Sequence, residues 1–208
     1  MALVKYNNNS ISAVTSAPLI PVGALTHIKT LTASSDADIQ FVDGSSGVVL
    51  DDTYPIYKID IINAHGSAND KNFNVNFSSD GGSNYNVVKT TTGVIAEHGE
   101  DDNPSGSLFY NVHADMAQST ANQVLGYNGG TDGGDSTSGS IYLFNPSSTT
   151  YVKHFISHTN IKDYTDDCRT LLIAGYCNTT SAINGIRFNF YNANVDAGIF
   201  KLYGIKDS

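Results

Sequence analysis

Apolar and polar residues alternate along much of the chain with the period of two that is typical of β-strands. The clearest alternation covers residues 71–78, where apolar side chains occupy one face and polar side chains the other. The apolar face holds Phe73, Val75 and Phe77, and the polar face holds Asn72, Asn74, Asn76 and Ser78. This pattern predicts a strand with one face in a core and the other in water.

The chain ends on a similar pattern, in the stretch NVDAGIFKLYGIKDS. Phe200, Leu202 and Gly204 share one face of the predicted strand, while Lys201 and Tyr203 lie on the other. Chain ends usually fray unless something holds them in place. We therefore expect this last strand to pair inside a sheet.

Short strand patterns recur from about residue 24 onward, separated by turns rich in Gly, Asn, Asp and Ser. Roughly nine or ten strands at this spacing predict an all-β fold, an antiparallel β-sandwich of jelly-roll-like type. Residues 24–208 are expected to form a single domain of this kind. The sequence leaves open whether residues 112–125 are helical, so the prediction allows at most one short helix.

The first 23 residues have a different character. They contain a run of Asn at positions 7–9 and prolines at 18 and 21, which disfavour both a helix and a central strand. They also carry apolar residues that a simple linker does not need: Leu3, Val4, Tyr6, Ile11, Val14, Leu19 and Ile20. We predict an extended N-terminal arm over residues 1–23 that contacts another subunit or protein through these residues, with a flexible leader as the alternative.

The charge of the chain limits the classes of partner that it is expected to bind. Its formal net charge is −9, and only 15% of its residues are charged. The longest charged run, EHGEDD, is acidic, and a basic patch of the kind that binds nucleic acid is missing. We therefore expect neither nucleic acid nor a membrane as a partner. The N-terminus lacks the apolar core of a secretory signal, so synthesis in the host cytoplasm is expected.

Metal-ligand patterns are weak. His154 and His158 lie on a predicted strand, where they share a face about 13 Å apart, too far for one metal ion. The loop acids Asp101, Asp102, Asp132 and Asp135 lack calcium-loop spacing and are expected to be solvated. Cys168 and Cys177 are expected to be small buried thiols, although the sequence leaves open whether they are bonded. No metal and no cofactor is predicted.

Catalytic motifs of hydrolases, phosphate-binding loops and dinucleotide-binding proteins do not occur in the chain. The prediction is therefore that the protein is not an enzyme. Tyr127, Tyr142 and Tyr151 offer aromatic rings on which sugars stack. The loop over residues 126–138 is accordingly the alternative site, for a host glycan.

Four stretches resemble a group of small virion proteins from marine tailed phages. They are MALVKYNNNSISAVTSA at the start, FVDGSSGVVLDDTYPIY, LFNPSSTTYVKHFI, and GIFKLYGIK at the end. The resemblance implies a virion structural protein on the particle exterior, a decoration (cement) or appendage protein, with major capsid or tail proteins as partners. It implies no catalytic residues. A homo-oligomer is expected, with a trimer favoured by the symmetry of such assemblies, and a tail-fibre or receptor-binding module is the alternative function.

Overall fold

A computed structural model describes residues 24–102 and 107–206, and every regular element in these residues is a β-strand. The strands are β1 Leu25–Asp36, β2 Ile39–Val42, β3 Ile56–Gly66, β4 Lys71–Ser78, β5 Lys89–Gly99, β6 Ser107–Tyr110, β7 Met116–Ser119, β8 Gln123–Gly129, β9 Thr137–Phe144, β10 Lys153–Lys162, β11 Asp167–Cys177, β12 Gly185–Phe190 and β13 Val195–Ile205. All ladders between them are antiparallel. The predicted antiparallel β-sandwich is confirmed.

The strands form a large and a small sheet. The large sheet runs β1-β13-β3-β9-β10-β11-β5-β6, with β7 also paired to β5, and the small sheet runs β2-β12-β4-β8. Pairing is nested: β1 pairs with β13, β2 with β12, β3 with β9, and β4 with β8. This nesting is how a jelly roll winds its eight strands into two facing sheets. Strands β5, β6, β10 and β11 widen the large sheet beyond that framework.

The C-terminal strand lies inside the large sheet, as its pattern predicts. Strand β13 pairs with β1 on one side and with β3 on the other. Phe200 and Leu202 are completely buried, and Gly204 is buried with them. Ladder hydrogen bonds on both sides therefore hold this strand in the sheet.

Aromatic side chains join the two sheets. Phe73 and Phe188 of the small sheet stack with their ring centroids 6.0 Å apart. Phe188 also lies 5.4 Å from Phe200 of the large sheet, and Phe77 lies 5.1 Å from Phe155. Rings of this size supply much of the apolar area that a sandwich core buries.

Residues 112–125 are not helical. Strand β7 occupies Met116–Ser119, and β8 begins at Gln123. The buried side chain of Gln123 donates from Nε2 to the Ala114 carbonyl at 2.7 Å and accepts from Thr91 Oγ1 at 2.7 Å. These long-range bonds fix the segment in an extended path, so tertiary contacts override its weak helical pattern. Short strands such as β6 and β7 also raise the number above the nine or ten predicted.

The polar face of β4 is not exposed to water, and this prediction was wrong. Asn74, Asn76 and Ser78 are almost completely buried. Neighbouring chain covers them: Asn76 donates from Nδ2 to the Thr120 carbonyl and to Oδ1 of Asn122. Alternation therefore identified the two faces of the strand but could not show that neighbouring chain closes over much of the polar face and leaves a groove above it.

The predicted arm and its residues Leu3, Val4, Tyr6, Ile11, Val14, Leu19 and Ile20 lie outside the described residues. Within residues 24–102 and 107–206, no helix is long and apolar enough to cross a membrane.

Candidate functional site

Apolar side chains gather on one part of the outer face of the large sheet. The strand register places Leu172 beside Val94, and Val94 beside Tyr110. In the next row, Ile156 lies beside Ala174. Ile156 is 48% exposed and Leu172 is 46% exposed, so none of the residues that the structure describes covers either side chain fully. We call Val94, Leu108, Tyr110, Ile156, Leu172 and Ala174 the apolar face.

The apolar face contains a shallow hollow of about 520 Å³, lined in part by Thr92, Ile156 and Ala174. A second hollow of about 220 Å³ shares these three residues and extends to Val94 and Leu172. The small side chain of Ala174 sets the floor, because its neighbours on both adjacent strands are larger. The two hollows make a continuous apolar depression across β10, β11 and β5.

Consecutive apolar residues in the sequence indicate this face, although they interrupt the alternation of apolar and polar residues. Phe155 and Ile156 are consecutive, as are Leu171 and Leu172. In a strand, consecutive residues point to opposite faces. Phe155 and Leu171 fill the core, so their apolar neighbours must lie on the outer surface. Apolar pairs of this kind indicate a sheet whose two faces are both covered.

The apolar face carries no Asp, Glu, Lys or Arg side chain. Its nearest acid is Asp115, whose Oδ2 accepts from the Tyr110 hydroxyl at 2.6 Å. That hydrogen bond raises the pKa of the Tyr110 hydroxyl. His158 lies beside Leu172, and His154 lies two residues before Ile156 on β10. An uncharged, partly apolar area therefore interrupts the surface of an acidic protein.

Two lysines are buried at one end of the sandwich. Lys89 and Lys153 lie on either side of Cys177 in adjacent strands, and none of the three side chains is exposed. Burial lowers the pKa of the Lys89 ammonium to about 8 and raises the pKa of the Cys177 thiol to about 12. A protonated, inaccessible thiol is a poor nucleophile, so this cluster is structural.

A second charged cluster closes the β10–β11 hairpin. The Arg169 guanidinium contacts Asp163 at 2.5 Å, Asp167 at 2.8 Å and Glu97 at 3.2 Å. Asp163 is completely buried, and its Oδ2 atom makes the ion pair without an aligned hydrogen bond. Lys162 bridges Asp135 and Asp166, and hydrogen bonds to these two carboxylates raise the pKa of its ammonium. Two cations thus pair with five carboxylates, so the cluster keeps an excess of negative charge.

The other predicted residues lie at separate places. His154 and His158 share the outer face of β10, as predicted. Asp101, Asp102 and Asp132 are exposed, but Asp135 is buried against Lys162, so the expectation that all four loop acids are solvated was wrong. No group of three or more His, Cys, Asp or Glu residues in the described part of the chain has a geometry that could hold a metal ion.

The two cysteines are free, with Cys168 exposed and Cys177 buried, so the prediction that both are buried was wrong for Cys168. They stand at opposite ends of β11, which prevents a bond between them. In the loop of the alternative glycan site, the Tyr127 hydroxyl accepts from Asn111 and its ring packs on the core. Tyr142 is half-buried on β9 of the large sheet and Tyr151 is exposed between β9 and β10, so the three tyrosines lie on different elements.

Comparison with known proteins identifies no relative: no family model, no curated protein and no solved structure matches the chain.

Proposed function

We propose that this chain is a non-enzymatic structural protein of a bacteriophage virion, displayed on the particle exterior as a decoration or appendage protein. The resemblance of its sequence to virion proteins of marine tailed phages supports the proposal. So does one structural observation, the apolar face on the outside of the large sheet. Contiguous exposed apolar side chains on a soluble protein mark a surface that another protein covers.

The partner on the apolar face is a second copy of the same chain. Each copy carries a formal net charge of −9, so two copies repel each other through most of their surfaces. They approach at lowest electrostatic cost through an area without carboxylates, and the apolar face is such an area. Closed symmetry is the rule for homo-oligomers, and a trimer is the form we favour.

The N-terminal arm provides a separate attachment to capsid or tail proteins. Residues 1–23 lead into β1, which is one edge strand of the large sheet, whereas the apolar face lies around β5, β10 and β11 toward the other edge. We propose that contacts between copies and contacts to the particle use different parts of the chain. An arm that becomes ordered on its partner must bury enough apolar surface to offset the entropy it loses.

Light scattering after size-exclusion chromatography tests the role of the apolar face. The full chain should be an oligomer, and the double variant Ile156→Asp, Leu172→Asp should be a monomer that keeps its β-sheet circular dichroism spectrum. The matched control Thr32→Asp adds an acid to an exposed position on β1 and should leave the oligomer intact. A monomeric wild-type chain, or a double variant that still assembles, would refute the proposed contact.

A further inference from the structure

The outer face of the small sheet carries a row of asparagines. Asn72, Asn74 and Asn76 alternate along β4 on that face. The register of the neighbouring strand places Asn189 beside Asn74 and Arg187 beside Asn76. Strand neighbours lie about 5 Å apart and alternate residues about 7 Å apart, so the amides form a compact polar grid. A grid of uncharged amides is a surface built from hydrogen-bond donors and acceptors alone.

A groove of about 430 Å³ lies over this grid. We call it the amide groove; it is lined by Asn72, Asn74 and Asn76 below, and by Tyr85, Asn122 and Tyr191 at the sides. Its volume is in the range of small-molecule sites. Because it opens on the small sheet, it faces away from the apolar face on the large sheet. A ligand can therefore occupy it while copies of the chain are in contact.

The floor of the amide groove is held rigidly. Asn76 donates to the Thr120 carbonyl at 3.2 Å and to Asn122 Oδ1 at 2.9 Å, while its own Oδ1 accepts from Lys89 Nζ at 2.7 Å. Asn74 donates from Nδ2 to the Asn72 carbonyl at 2.9 Å. These bonds fix the amide planes before any ligand arrives. A preorganised polar site loses less entropy on binding than a mobile one.

Two polar atoms beside the groove lack partners. Oδ1 of Asn189 and Nε of Arg187 are buried and make no hydrogen bond. An unpaired buried polar atom costs about 1–3 kcal/mol, so native proteins keep few of them. Asn189 is the strand neighbour of Asn74, which lines the groove. One acceptor and one donor therefore stand unsatisfied at the edge of the site.

Aromatic rings complete the groove. Tyr191 is 60% exposed and offers an open ring face at one side. Tyr85 is held in place on the other side, because its hydroxyl donates to Gln40 Oε1 at 2.9 Å and the Arg187 guanidinium lies 4.6 Å from its ring centroid. The site thus combines fixed amides with one accessible aromatic face. Rings of this kind pack against apolar faces and leave the polar edges of a ligand to hydrogen bonding.

The composition of the amide groove selects a ligand class. Its lining contains no Asp, Glu, Lys or Arg, and the Arg187 guanidinium at its edge lies against the Tyr85 ring, so the groove itself holds no charged group to pair with an ionic ligand. A purely apolar ligand would leave the amides unbonded, at a cost for each one. A neutral saccharide fits both requirements, because its hydroxyls donate to and accept from amides and its C–H face packs on a tyrosine.

We propose that the amide groove is a binding site for a neutral saccharide, with a sugar ring packed on Tyr191 and its hydroxyls bonded to the side chains of Asn72 and Asn74. This site lies on a different part of the fold from the loop over residues 126–138. The inference goes beyond the proposed assembly role and stands on different residues. A monomeric chain with a working groove would contradict the assembly contact and leave the saccharide site intact.

The test uses the full chain on an array of neutral and acidic glycans, followed by NMR titration with the neutral oligosaccharides that bind. The side-chain amide resonances of Asn72 and Asn74 should shift on titration. Tyr191→Ala should weaken binding by about tenfold or more. The matched control Tyr164→Ala removes an exposed tyrosine outside the groove and should bind like the wild type.

Three results would overturn the proposal. The first is no binding by the wild-type chain to any neutral glycan at millimolar concentration. The second is binding to acidic glycans alone. The third is neutral-glycan binding that both Tyr191→Ala and Asn72→Ala leave unchanged. Thermal unfolding of each variant, compared with the wild type, separates a lost contact from a lost fold.

Discussion

Lys89 and Asn76 are joined by a buried hydrogen bond, from Nζ of the lysine to Oδ1 of the asparagine at 2.7 Å. Lys89 donates a second bond to the Val87 carbonyl at 2.8 Å. Both acceptors are neutral oxygens, so the ammonium group is held inside the sandwich by dipoles rather than by a carboxylate. The bond also connects the core of the fold to the floor of the amide groove.

This arrangement predicts a pH-dependent stability. Burial lowers the pKa of Lys89 from 10.5 to about 8 in the folded protein. Above about pH 7 the unfolded chain keeps the proton that the folded chain begins to lose, so the free energy of unfolding should rise with pH. The rise should be complete only near pH 10.5, and it would reach about 3 kcal/mol if no other group titrated. Urea unfolding at a series of pH values measures it.

Other buried groups limit the pH range in which the effect of Lys89 on stability can be measured. Burial raises the pKa of the Cys177 thiol to about 12 and that of the Tyr85 hydroxyl to about 12. These groups ionise earlier in the unfolded chain, so each lowers stability once the pH exceeds its ordinary pKa of about 9 or 10. The increase due to Lys89 should therefore be clearest between about pH 7 and 9. Lys89→Met should remove it; an unchanged slope in that variant would assign the effect to another group.

Arg169→Ala should destabilise the fold strongly. The substitution leaves the carboxylate of Asp163, which is completely buried, without its ion-pair partner. Removing one member of a buried pair typically costs about 3–5 kcal/mol. Chemical unfolding at neutral pH measures the loss.

Lys58→Ala is the matched control for Arg169. It breaks the Lys58–Asp60 ion pair, which measures 2.8 Å and is partly exposed on the large sheet. A pair of this kind is worth about 1 kcal/mol or less. Equal losses in the two variants would show that burial of Asp163 does not control the energetics of the hairpin.

Deletion of residues 1–22 should separate folding from attachment. The strand pairings and the core described above lie entirely within later residues, so the truncated chain should fold with the thermal stability of the full chain. It should fail to join particles in a complementation assay, because the proposed anchor is missing. Substituting Leu19 and Ile20 by Ser in the full chain provides a milder version. Normal incorporation of the deletion variant would refute the anchoring role.

Alternation was enough to predict the class of fold. Strands such as β4 and β13 bury the faces that their apolar residues predict. The nested pairing of β1 with β13 and of β2 with β12 joins residues more than a hundred positions apart. Local patterns carry no information on such pairing, so the sequence could suggest a jelly roll but could not order its strands.

The candidate surfaces were harder to predict for two physical reasons. Ile156 and Leu172 follow core residues directly, and a search for alternation treats such pairs as noise. The alternation pattern places Asn74 and Asn76 in water, because the segment around Thr120 that covers the polar face of β4 is remote from β4 in the sequence. The burial of Lys89 could not be predicted from the sequence, because it depends on neutral oxygens that the tertiary structure brings to the ammonium group.

The most direct test of the proposed virion role is quantitative mass spectrometry of particles purified from the proposed phage source. We predict that the chain is present at a fixed molar ratio to the major capsid protein in independent preparations, and that the ratio survives high-salt washing. A copy number close to that of the capsid protein would indicate a shell decoration. A much smaller fixed ratio would indicate a tail appendage. Absence of the chain from the particles, or a ratio that falls with each purification step, would contradict the account.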